Sequence, residues 1–239
     1  MFRFLLLLTL PYLSISLVQA DDRPSANQLH MIRSAAFTVC SNLLLYHSSA
    51  GYGGDVRNLE AYRAGMAWLG GQGDAELVEP LRQMDEQIAL LERNHDADRL
   101  LKPRWVIPLL QAHAQFDGRL AERYAELEVS PELLLLHEQS LDASRMLLMY
   151  QTRAFGSLAV YFMAVDEDTP QLLDARFMAR FQQLTARLPG QAQALAELER
   201  RYQFIRSRLL ADSGNWLVAG AEYYLGRIVD SLDRMATEE

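Results

Sequence analysis

The sequence is short of the residues that staple a fold or hold a metal. It has a single cysteine, Cys40, in 239 residues, so no disulfide frames it and no Cys-x-x-Cys pair is present for zinc or covalent haem. Lys102 is the only lysine; every other cation is arginine. The 5 histidines (His30, His47, His95, His113 and His137) form no i, i+4 pair and no His-Glu-x-x-His, which argues against structural zinc. Strand signals are nearly absent. After the first twenty residues no uncharged apolar run reaches the roughly 18 residues that cross a bilayer, so no later span is expected. Positive charge is also short: the formal net charge is −8, which excludes nucleic acid as a natural partner. Met on an apolar helix face is ordinarily core filler, so a Met–His haem clamp is disfavoured and no cofactor is expected.

What is present begins with an export signal. Met1-Phe2-Arg3 carries one positive charge, Phe4 to Val18 carries none, and Val18-Gln19-Ala20 precedes Asp21-Asp22. This pattern reads as a secretory signal peptide over 1–20, cut after Ala20, with a retained anchor as the alternative. Export together with a lone thiol is consistent with a bacterial periplasm, which is the expected location. Cys40, in Phe37-Thr38-Val39-Cys40, reads as a buried small hydrophobe.

The rest reads as helix. Leu, Ala, Glu, Gln, Arg and Met dominate, and apolar residues recur at 3 and 4. Leu77, Leu81, Met84, Ile88 and Leu91 make one such stripe; Leu195, Leu198, Tyr202, Ile205 and Leu209 make another. Breaks at Gly51-Tyr52-Gly53-Gly54, Gly70-Gly71, Lys102-Pro103, Ser130-Pro131, Thr169-Pro170, Leu188-Pro189-Gly190 and Asp212-Ser213-Gly214 divide the chain into about eight helices. The fifth is expected to run to about Ala164. The halves also resemble each other. Tyr46 and Tyr150 end similar runs 104 residues apart, Leu-Glu-Arg recurs after 107 (Leu91, Leu198), and Trp105 and Trp216 lie 111 apart. The expected architecture is therefore all-α: two tandem, related four-helix bundles, 21–129 and 130–239, after the signal peptide.

Chemistry-bearing residues are few. Ser48-Ser49 beside His47 is no nucleophile elbow, since no strand precedes it. The glycine cluster at 51–54 reads as a helix stop, with no Lys-Ser/Thr after it to make a phosphate cradle. No enzyme is expected. The first helix, though apolar, carries Thr38, Ser41, Asn42, Tyr46 and Ser49, and Asn42, Tyr46 and Ser49 share a face. Polar groups on a buried helix need partners. They read either as interhelical hydrogen bonding or as the wall of a small polar pocket, between the two modules or along the first and fifth helices. Arg63, Arg153 and Arg176 are the candidate cations for a small oxyanion there, with exposed helix arginine as the plain alternative.

Ser49-Ala50-Gly51-Tyr52 resembles the Ser-Ala-Gly-Tyr near the end of the first helix in nitrate- and nitrite-sensing domains. Arg176-Phe177-Met178-Ala179-Arg180-Phe181-Gln182-Gln183-Leu184 resembles that family's aromatic-Arg-Phe-x-x-Leu helix. The resemblance implies an extracytoplasmic, all-helical sensor of two four-helix modules that binds a small anion. It also shows a departure. The family's anion-binding Arg falls on Tyr46, with Leu45 in the place of Glu, and its second such Arg falls near Leu158. The expected function is an exported, non-enzymatic sensory or ligand-binding module for a small anion or metabolite, signalling through a protein partner. The alternative is an interaction module (adapter, inhibitor or immunity-type protein) with no small ligand.

Overall fold

The computed structural model describes residues 24–48, 53–72, 75–95, 102–156, 170–211 and 216–239. The signal peptide, Ser49 to Tyr52, Leu158, and the end expected for the fifth helix lie outside the described residues. Within them the protein is all-α, with eight helices and no strand. These are α1 (Ala26–His47), α2 (Val56–Gly70), α3 (Val78–Arg93), α4 (Pro103–Ala125), α5 (Pro131–Gly156), α6 (Pro170–Arg187), α7 (Ala192–Leu209) and α8 (Val218–Glu238), with a 3₁₀ turn at Pro189–Gln191 before α7. No described helix is long and apolar enough to cross a membrane.

Local chemistry sets the boundaries. The Ser25 side chain accepts from the Gln28 amide and starts α1, and Asp55 accepts from the Arg57 amide and starts α2. Ser130 accepts from the Leu133 amide, with Pro131 as the first residue of α5. Each satisfies a backbone donor that the first turn leaves orphaned. Pro103 opens α4, so Pro108 falls inside that helix and not in its first turn. Gly54 sits at φ 84°, in the left-handed region, and its amide donates to the Tyr46 carbonyl at 2.8 Å. That bond turns the chain back after α1, as a helix-stop glycine does.

Helices α1 and α5 are central. α1 packs on α2, α4, α5 and α8, and α5 packs on α1, α6 and α8. The close approach of α2 to α1 uses Gly65, where a Cβ would lie 2.6 Å from the Val39 side chain. Buried apolar side chains form two clusters. One unites α1–α4 with Leu141, Leu148 and Phe155 of α5; the other unites α5–α8 with Leu45 of α1. Both stripes read from the sequence face these clusters: Met84, Ile88 and Leu91 in the first, and Leu195, Leu198, Tyr202, Ile205 and Leu209 in the second, are all buried.

Candidate functional site

The seam between α1, α4, α5 and α8 is densely polar. Arg33 donates to Asp117 through Nε at 2.6 Å and through a terminal nitrogen at 3.1 Å. Arg145 of α5 approaches the same carboxylate at 3.7 Å. Burial pushes the Asp117 carboxyl up, but the Arg33 hydrogen bonds and charge outweigh it and hold the pKa below the usual range. Further along, Nε2 of His30 lies 2.8 Å from Asp233, which also accepts from Ser34 and Ser140. The His30 ring stacks on His137 at 3.9 Å and 8°, and His137 meets the Tyr124 hydroxyl at 2.8 Å. These contacts join four helices.

A second knot lies on α5. Asp142, only 1% exposed, accepts from Arg145, Arg176 and Arg180. Arg180 also reaches Glu138 at 2.8 Å. The second and third helices of each half are tied by one carboxylate shared between a tyrosine hydroxyl and an arginine. Tyr62 and Arg63 donate to Glu92 at 2.7 and 2.9 Å. Tyr202 and Arg206 donate to Asp174 at 2.7 and 2.6 Å. The acid sits on α3 in the first clip and on α6 in the second.

The open space lies elsewhere. A groove of about 400 Å3 runs between α1, α5 and α8. Thr38, Ser41 and Asn42 of α1 form one wall, Ser144 and Leu147 of α5 the floor, and Glu222, Gly226 and Asp230 of α8 the other wall. Its charged lining is Glu222, Asp230 and Arg227, and the Arg227 guanidinium lies 4.7 Å over the Tyr223 ring. Asn42 and Glu222 also border a neighbouring hollow of about 790 Å3 that extends toward Asp55 and Arg57. Burial pushes the Glu222 carboxyl up, Asp230 adds to the rise, and Arg57 opposes it. Asp230 is likewise raised by burial and by Asp233, against Arg234 and Arg227. Among the described residues, neither carboxylate has a direct arginine partner of the kind found at Asp117 and Asp142.

The structure separates the residues singled out in the sequence. Asn42 lines the groove, its amide donating to the Thr38 carbonyl at 2.9 Å. Tyr46 packs against His47 and Tyr62, with ring centroids at 4.9 and 6.1 Å. It borders a smaller hollow with His95 and Lys102 instead. Ser49 lies outside the described residues. None of the three arginines lines the groove. Arg63 binds Glu92 and Arg176 binds Asp142. Arg153 donates to the Leu209 and Ala211 carbonyls and lies 5.2 Å over the Trp216 ring. It thereby ties the α7–α8 connection to the end of α5. Arg153→Ala is expected to cost about 1–2 kcal/mol in urea unfolding, through lost charged hydrogen bonds and a cation–π contact; a change under about 0.3 kcal/mol would remove this role. Cys40 is fully buried, and burial pushes its thiol up to about 12, so it is unreactive. Among the described residues, no three of His, Cys, Asp and Glu gather as metal ligands do.

Sequence reading overlooked Glu222, Gly226 and Asp230. Their signal was legible: they recur at i, i+4 and i+8, one face of a helix. Together, fold and groove define an all-α protein whose central helix presents polar side chains to a cleft at the junction of two apolar cores. No family model matches this sequence, and neither a curated protein nor a solved structure matches it.

Proposed function

We propose that this is an exported, non-enzymatic ligand-binding module that takes a small polar molecule in the α1–α5–α8 groove and conveys its state to a protein partner. The observation that carries this reading is the groove's place: it opens where α1, the helix with polar groups on an otherwise apolar body, meets α5 and α8. A ligand there touches both apolar clusters at once, so binding bears on how the halves pack. The resemblance of Ser49 to Tyr52 and of Arg176 to Leu184 to nitrate- and nitrite-sensing domains is in keeping with a periplasmic sensor. A small anion is the weaker choice of ligand, because Arg63, Arg153 and Arg176 are engaged by other protein groups and two of the three charged groups lining the groove are acids.

The test is a thermal-shift titration of the mature chain with nitrate, nitrite, amines, amino acids and sugars. A true ligand at 100 times its Kd raises stability by about 2.7 kcal/mol. No response across the panel would overturn the reading. It would favour an interaction module, for which the exposed Phe204, its ring tilted against Tyr224 at 5.0 Å, supplies an apolar contact surface. Capture of a partner that weakens with salt would then be expected.

A further inference from the structure

We propose that the hollow between the end of α1, the end of α3 and the start of α4 is a second site, for a small organic oxyanion (a carboxylate or a phosphate ester) held by Lys102, His47 and His95. It is independent of the groove, since no residue lines both.

The hollow has a volume of about 370 Å3, within the range of small-molecule pockets. Its walls carry one sign of charge. His47, His95 and Lys102 line it, and no carboxylate does among the described residues. Glu92, the acid nearest in effect to the His47 ring, is taken by Tyr62 and Arg63. In a chain of formal net charge −8 such a basic recess stands apart. Gly53 and Gly54 complete the wall with bare backbone. A Cβ on Gly53 would collide with the Ser48 carbonyl, so the turn after α1 passes there only as glycine and no side chain fills the space.

Two polar groups in the hollow have donors to give. Lys102, the only lysine, donates to the His47 carbonyl at 3.3 Å, and among the described residues no carboxylate pairs with it. An ammonium has three donors, so two remain. The second group is the ring of His47 itself. The residue is 4% exposed, and its Nε2 is buried with no hydrogen-bond partner. Native proteins rarely leave such an atom unsatisfied. Tyr46 meets the ring edge-on at 4.9 Å. Burial lowers the His47 pKa to about 4, and Lys102 and His95, which line the same hollow, add to that against Glu92. The imidazole is therefore neutral at neutral pH and, with its proton on Nε2, offers one N–H. A fixed ammonium beside a desolvated N–H suits a group that only accepts and carries negative charge. It repels a cation.

Isothermal titration of the mature chain at constant ionic strength tests this, with succinate, glycerol 3-phosphate and butylamine as probes. At least one of the two oxyanions is expected to bind one to one, the tighter of them telling carboxylate from phosphate, and butylamine is expected not to bind. Lys102→Met keeps the aliphatic stem and should weaken oxyanion binding at least tenfold; His47→Phe keeps a ring against Tyr46, removes the donor and should weaken it about tenfold. The melting temperature of His47→Phe should not fall, because it removes a buried polar atom that has no partner. The His47 Nε2 resonance should shift as the tighter probe saturates. Asn42→Ala alters the groove wall and should leave oxyanion binding unchanged. If neither oxyanion binds, or binding survives both Lys102→Met and His47→Phe, the site falls, and a groove ligand found by thermal shift would still stand. If Asn42→Ala removes the binding, the anion sits in the groove and this site is overturned.

Discussion

Replacing Asp142 with alanine is expected to destabilise the protein by about 3 kcal/mol, the lower end of what removing one partner from a buried ionic knot costs. Asp142 is 1% exposed and sits between Arg145, Arg176 and Arg180, whose side chains are 27%, 38% and 10% exposed. Removing the acid leaves Arg180 almost without solvent, with Glu138 as its one remaining acidic partner among the described residues, while water screens the other two; hence the lower end. In a chain of this size the loss corresponds to a melting temperature lower by about 6–12 °C. Glu197→Ala is the natural contrast, since its pairs with Arg200 and Arg201 are exposed and of little worth. Urea unfolding of both variants decides the matter. Asp142→Ala costing under about 1 kcal/mol would mean that the three arginines relax into solvent. A double-mutant cycle with Arg180→Met then separates the buried pair from its screened neighbours.

That knot also marks where sequence reading stopped. Helices are local, and their signals are local: Ser25, Asp55 and Ser130 cap as their residue types predict, and the stripes at 77–91 and 195–209 face cores as their spacing predicts. Asn42 was legible as a polar residue out of place on an apolar helix, and it lines the groove. The arginines were not legible in the same way. Arg63, Arg153 and Arg176 suit an anion by chemistry, but whether a protein carboxylate or carbonyl already occupies them depends on which helix lies alongside. Glu92 is 29 residues from Arg63 and Asp142 is 34 from Arg176, distances over which no periodicity speaks. The matched tyrosines show the same limit. Tyr150 is buried, accepts from the Leu217 amide and meets Trp216 edge-on, whereas Tyr46 is half-buried against Tyr62. Similar local runs have acquired different neighbours.

Acid should unfold this protein well before its carboxylates titrate, and histidine burial is the reason. Burial, with Lys102 adding to it, lowers His47 to about 4, and burial lowers His113 to about 4. Burial and the adjacent His30 lower His137 to about 3. In the unfolded chain each takes its proton near 6.5. Between those values the unfolded state binds more protons than the folded one, so stability rises with pH and falls as pH drops from 6.5 toward 4. For His113, at 1.36 kcal/mol per pH unit, the loss at pH 5 is about 2 kcal/mol; His47 and His137 add to it in the same direction. His113 faces Asp117, which raises its pKa, and Arg33 and Arg145, which lower it; its ring also packs edge-on to Phe37 at 4.5 Å. The opposite window belongs to Asp117, Asp142 and Asp233, whose lowered carboxyls lend stability that is full above about 4 and lost only below it. The two windows separate the causes. Urea midpoints measured from pH 8 to pH 4.5 should fall steadily below 6.5, and His113→Gln should recover about 2 kcal/mol of the loss between pH 8 and pH 5. A wild-type profile flat to pH 4.5 would mean that the buried imidazoles protonate in place, with water or Asp117 rotating to meet the charge.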